Sequence, residues 1–177
     1  MIDIRRPYPK YIGRDASFFE NFKYEKSHDE AQYLSGAEIA AVIAQLDQLP
    51  MKQQLCHGDP NPGNILLREH DTFIIDWNNA STGNPKADLA EYIIMIRCAI
   101  LSPHLRHETT VALYATREAS IRIFMEEYEK LSGIAYADIE PWIAPVAARK
   151  LIAEAISEAE KTMLVDEIRR RLHTRLS

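Results

Sequence analysis

Apolar residues recur at helical spacing in five stretches of this chain. The first opens at Ser35, where Ser35-Gly36-Ala37-Glu38 has the capping-box pattern, and Ile39, Val42, Ile43, Leu46 and Leu49 mark one face until Pro50 stops it. Residues 88–101 are apolar nearly all round, with Leu89, Ala90, Tyr92, Ile93, Ile94, Met95, Ile96, Ala99 and Ile100, as expected of a helix through the middle of a core. From 116 to 131, Ile121, Phe124, Met125, Tyr128 and Leu131 share a face, and Gly133 suits the C-terminal cap. Asp138 is the expected N-cap of a helix through Leu151 and Ile156, bent at Pro145, where a proline removes a helical hydrogen bond. A last amphipathic helix carries Met163, Leu164, Ile168 and Leu172.

Between the first two helices the pattern shortens. Residues 64–67 and 72–75 are apolar runs separated by the turn-like Arg68-Glu69-His70-Asp71, which predicts a β-hairpin. Antiparallel pairing sets the start of one strand beside the end of the other, so Asn64 and Asp76 are expected close together although twelve residues separate them. Residues 1–34 hold Tyr8, Tyr11, Phe18, Phe19, Phe22, Tyr24 and Tyr33 without clear periodicity and are read as an irregular aromatic-rich arm. The predicted fold is α+β and mostly helical, one domain over 35–177, with no internal repeat or linker.

Composition narrows the classes. At 177 residues, 46% apolar and 27% charged, the chain is long enough to bury a core without disulfides. A net charge of −5 gives no general attraction to nucleic acids or anionic membranes. The one basic cluster, Arg169-Arg170-Arg171 with His173 and Arg175, reads as a solvated helix end that complements the helix dipole. Cys56 and Cys98 are too few for a disulfide framework or zinc site and read as buried free thiols. The N-terminus lacks a signal-peptide pattern and no run approaches a membrane span, so a cytoplasmic setting is expected.

The chemistry concentrates in Leu55-Cys56-His57-Gly58-Asp59-Pro60-Asn61-Pro62-Gly63-Asn64 and in Ile75-Asp76-Trp77. An Asp and an Asn five residues apart on a Gly- and Pro-rich loop can offer a carboxylate to a substrate hydroxyl and an amide oxygen to a metal. Asp76, closing an apolar run, can complete the metal site. Protein kinases follow the same plan. The segment resembles the aminoglycoside phosphotransferase and choline kinase family, whose hallmark is H-G-D-x-x-x-x-N followed by I-D-W. The likeness continues through Gly83-Asn84-Pro85-Lys86-Ala87-Asp88-Leu89-Ala90, similar to the family's G-x-P-x-x-D-L-A, and runs over about residues 34–160. Asn61 departs from the His that many relatives carry there.

The resemblance implies the C-terminal lobe of a protein-kinase-like fold. It makes Asp59 the catalytic group that accepts or orients the hydroxyl proton, and Asn64 and Asp76 the holders of Mg²⁺ against the phosphates of ATP. The substrate it implies is a small-molecule alcohol such as an aminoglycoside, a choline-like compound or a sugar-like metabolite. His57 reads as a hydrogen-bonding loop stabiliser, Gly58 as a turn residue needing backbone freedom, and Asp88 as a structural cap or a bond back to the loop. Asn61 and Asn78 either line the pocket or satisfy loop backbone. Glu126, Glu127, Glu154, Glu158 and Glu160 read mainly as solvated helix faces.

No G-x-G-x-x-G and no strand lysine of the V-A-I-K kind precede the loop; Gly13 and Gly36 are the only glycines before His57. The nucleotide-binding lobe is therefore expected to be missing, replaced, or supplied by another chain. The alternative function is a non-catalytic kinase lobe that binds a partner or self-associates across the face left uncovered. Metal-dependent hydrolysis by Asp59, Asp76 and His57 ranks last, because the His-rich ligand spacing of such enzymes is absent.

Overall fold

The computed structural model describes residues 33–151, 153 and 156–174. The aromatic arm predicted for 1–34 thus lies outside the described residues except for Tyr33 and Leu34. Helix α1, Gly36–Asp47, starts as its sequence dictates. Ser35 Oγ accepts from Glu38 N at 3.2 Å, and the Glu38 carboxylate accepts from Ser35 N at 2.6 Å. Four strands follow: β1 (Gln54–Cys56), β2 (Ile65–Arg68), β3 (Asp71–Ile74) and β4 (Ser81–Gly83). They form two antiparallel pairs, β2 with β3 as the expected hairpin and β1 with β4, which pattern did not predict because three residues are too few to show a period.

Helix α2, Pro85–Cys98, begins three residues before the expected start. Asn84 caps it, its Oδ1 accepting from Lys86 N at 3.1 Å, and Pro85 sits at the first helical position, where its missing N–H costs nothing. Helix α3, His107–Ser132, is longer than predicted and ends on Gly133 in the left-handed conformation (φ 72°). Only Ile121 and Met125 of it are fully buried. Leu131, assigned to the core face from its spacing, is 89% exposed, one turn beyond the last residue that reaches the core.

Helix α4, Tyr136–Leu151, is the centre of the molecule: Ile139, Trp142, Ile143, Ala144, Val146, Ala147 and Ala148 are all buried. Asp138 is its third residue and not its N-cap; the carboxylate reaches back to accept from Ala135 N at 3.0 Å. The helix ends at Leu151, before the expected Ile156. Pro145 cannot donate to the carbonyl of Pro141, and Gln45 of α1 donates its amide N–H to that oxygen instead. This explains a buried glutamine on the apolar face of α1. Helix α5, Glu158–Thr174, lays Leu164, Val165 and Ile168 against α4, with Met163 and Leu172 half-buried beside them.

The basic end of α5 is a solvated face at Arg169, Arg170 and His173, as expected, but Arg171 turns inward. Arg171 is buried and bonds Glu167 at 3.1 Å and Glu140, while Arg97 of α2 bonds Glu167 at 2.8 Å and takes Glu118 with both Nε and Nη2. Burial alone would raise the Glu167 carboxyl. The bond from Arg170 and the charges of Arg97 and Arg171 outweigh it and hold the group below the usual carboxylate range. Glu126, Glu127, Glu158 and Glu160 each lie within 4 Å of a neighbouring Lys or Arg; Glu154 lies outside the described residues. The described residues are thus α+β, mostly helical, with two small antiparallel sheets. Among the described residues no helix is long and apolar enough to cross a membrane.

Candidate active site

The loop from Cys56 to Asn64 is pinned from behind. Asp88, on the first turn of α2, accepts from the backbone N–H of His57 and, at 3.0 Å, from that of Gly58. Burial raises the Asp88 carboxyl above its usual range, and the two loop N–H donors and the charge of Arg149 work against that rise. Gly58 has φ 79°, and a Cβ there would lie 2.2 Å from the carbonyl oxygen of Asn79. Glycine is required twice over, by conformation and by the approach of the 77–79 turn.

The roles at the His57 ring follow from its neighbours. Nδ1 accepts from Asp59 N at 3.3 Å, so Nε2 carries the proton and donates to Ile75 O at 2.8 Å. Trp77 lies over the ring at 4.6 Å and donates its own N–H to Ile74 O at 2.8 Å. His57 is 6% exposed with both nitrogens engaged, so it ties the loop to β3 and is not a metal ligand. That removes the third member of the hydrolase set.

Two amides orient the Asp59 carboxylate. Asn61 Nδ2 donates to Oδ1 at 3.1 Å, and Asn64 Nδ2 donates to Oδ2 at 3.2 Å and to the Asp59 carbonyl at 2.9 Å. Asn61 also caps the short 3₁₀ turn Pro62–Asn64, its Oδ1 accepting from Gly63 N at 2.8 Å. The residue that differs from the family hallmark is therefore a direct partner of Asp59.

The hairpin register pairs Ile65 with Ile74 and Arg68 with Asp71, and Ile75 N donates to Asn64 O at 2.9 Å. Asn64, the residue before β2, and Asp76, two residues after β3, thus flank the open end of the hairpin. Asp76 is exposed, in the left-handed conformation (φ 60°, ψ 56°), with Oδ1 accepting from Asn78 Nδ2 at 2.6 Å. Asn64 spends its N–H groups on Asp59, which leaves Oδ1 without a partner among the described residues. A side-chain oxygen from each is open to a hard cation. No cluster of three or more His, Cys, Asp or Glu suited to a metal occurs among the described residues. Magnesium, commonly held by one or two protein oxygens plus phosphates and water, suits this sparse donor set. Burial, and then the Asp88 charge, push the Cys56 thiol up to about 11, which leaves it a protonated structural residue; Cys98 is likewise buried and free.

The sequence singles out Asp59, Asn64 and Asp76 as candidates, of which Asn64 bonds Asp59 and Asp76 follows the Ile75 that bonds Asn64 O, and it allows the Asp88 bond to the loop. Sequence reading missed Ser81 and Arg149, which join Asp88 in lining a small chamber behind the loop, and no local spacing could have signalled them.

A hairpin mouth carrying a clamped Asp, an Asn and a second Asp, on a helical lobe, defines a protein-kinase-like phosphotransferase fold. The chain belongs to the phosphotransferase enzyme family, whose model matches residues 7–124. Among solved structures it is similar to a thermostable mutant of aminoglycoside phosphotransferase APH(4)-Ia in its apo form, with a TM-score of 0.57 and 16% identity. That likeness covers 90% of this chain and 50% of the other, so the chain spans about half the length of this structural relative. No curated protein sequence matches the chain.

Proposed function

We propose that this lobe, residues 35–177, carries the catalytic half of an ATP-dependent small-molecule O-phosphotransferase working in the cytoplasm. Asp59 takes the hydroxyl proton of the substrate, and Asn61 and Asn64 hold its carboxylate in one orientation. Asn64 Oδ1 and Asp76 hold Mg²⁺, which when bound would neutralise charge on the ATP phosphates. The observation that carries this reading is the Ile75 N to Asn64 O bond at 2.9 Å, which joins the Asp59 clamp to the segment after β3 that carries Asp76. An alcohol such as an aminoglycoside, the substrate class named for the structural relative, or a choline-like or sugar-like compound is the class to test.

The decisive experiment is titration of the full chain with ATP in the presence and absence of Mg²⁺, followed by turnover against a panel of such alcohols. Binding in the micromolar range that depends on Mg²⁺ and weakens at least about tenfold in Asp76→Ala is expected. Asp59→Ala should keep that binding and lose about 10²- to 10⁴-fold in turnover. No nucleotide binding by the wild-type chain would sink the proposal.

One observation favours a second reading, a lobe that acts by association. The hairpin exposes Ile65, Leu66, Leu67, Phe73 and Ile74, with Leu67 at 78% and Phe73 at 48%. Such a surface suits a second copy or a partner chain. Sedimentation at rising concentration, with Leu67→Lys as the control, tests it; a monomer throughout would reject self-association.

A further inference from the structure

Behind the candidate catalytic loop lies a chamber lined by Cys56, Gly58, Ser81, Asn84, Asp88 and Arg149, among others. Four parts of the fold meet there: strand β1, its partner β4, the first turn of α2, and the last turn of α4. The space open to the centre of a water-sized sphere is about 20 Å³, enough for a water molecule. The Ser81 hydroxyl oxygen is shut off from solvent and has no hydrogen-bond partner among the described residues. Ser81 pairs with Cys56 across β1 and β4, so its place is fixed by the sheet register. A buried hydroxyl without a partner loses its hydration with nothing in return, and a polar lining with two to four partners is what retains an internal water.

We infer that this chamber binds one water molecule, which links the Ser81 hydroxyl to the Asp88 carboxylate and the Arg149 guanidinium. Each carboxylate oxygen of Asp88 accepts one loop N–H and keeps a lone pair for a further donor. A water satisfies the lining where an ion would not. It donates to Asp88, accepts from Arg149, and bonds Ser81 in either sense, whereas an anion would face Asp88 and a cation would face Arg149. Arg149 is itself held by Glu91 of α2. The bound water makes a continuous polar link from the α2–α4 interface to the backbone N–H groups of His57 and Gly58, and Ser81 and Arg149 become positioning residues of the loop. The inference is independent of whether the lobe turns over ATP.

The test is a crystal structure of the full chain at high resolution, beside one of Ser81→Val, whose extra methyl groups fill the chamber. Wild type should show one water within about 3.2 Å of Ser81 Oγ, and Ser81→Val none. In ¹⁵N-labelled wild-type protein, a long-lived water should cross-relax with the Gly58 amide, and Ser81→Ala, should the valine variant fail to fold, should lose that signal. A dry chamber, an anomalous peak there after a bromide soak, a Ser81 hydroxyl bonded to a protein carbonyl, or a water unaffected by both substitutions would overturn the inference.

Discussion

At the scale of single residues, the loop depends on positions where only one side chain fits. Gly58 is the sharpest case, since alanine there meets both an unfavourable φ and the Asn79 carbonyl at 2.2 Å. Gly58→Ala should destabilise the lobe by about 2–4 kcal/mol in urea denaturation. It should also cost more than Gly133→Ala, which shares the positive φ but has open space around it. The letters Gly-Asp before an apolar strand marked the loop, because the chemistry of Asp59 and Asn64 is a matter of five residues' spacing. What approaches Gly58 was not legible, since the Asn79 carbonyl arrives from 21 residues away by way of a turn that no side-chain pattern specifies. Asn61 is similar: its identity as a loop residue was plain, but its grip on Asp59 depends on a side-chain rotamer.

At the scale of elements, local capping chemistry was readable and long-range satisfaction was not. Ser35 and Glu38 set the start of α1 as expected, whereas Asn84-Pro85, an equally local signal, was overlooked because Asp88 offered a rival start inside a run already read as a motif. The hairpin was legible because its two apolar runs flank a polar turn. The pairing of β1 with β4 was not, since neither strand is long enough to carry a period. Proline within α4 predicted a bend; its observable consequence is a carbonyl that α1 must serve. Gln45→Leu removes that service and leaves Pro141 O buried, so a loss of about 1–2 kcal/mol is expected. In a Pro145→Ala background the alanine N–H returns to Pro141 O within the helix, and the same substitution should then cost almost nothing. A double-mutant cycle by urea denaturation measures the difference, with a coupling of about 1 kcal/mol expected and additivity counting against this account.

At the scale of the whole molecule, charge joins elements that sequence proximity does not, and this sets the response to acid. Glu38 caps α1 and also receives Arg169 Nε of α5 at 2.7 Å; that bond first, and the Ser35 N–H next, hold its carboxyl down at about 2. Glu118, Glu158, Asp138 and Glu167 are lowered as well, while Asp88 is raised by burial. A carboxyl lowered by folding contributes its stability above the unfolded value near 4.5 and loses it as pH falls toward the folded value; Asp88 works in the opposite sense. Among the described carboxyls the lowered groups outnumber the raised one, so the lobe should lose stability as pH falls from about 4.5 to about 2. Arg169→Met removes the first cause of the Glu38 shift, so the variant should lose less than wild type between pH 6 and pH 3. The difference should stay below about 1 kcal/mol because this pair is partly exposed and screened. Urea denaturation of both proteins at the two pH values checks the sign: an equal loss in both would mean that the α1–α5 pair contributes nothing to acid lability, and that the burden falls on the other lowered carboxyls.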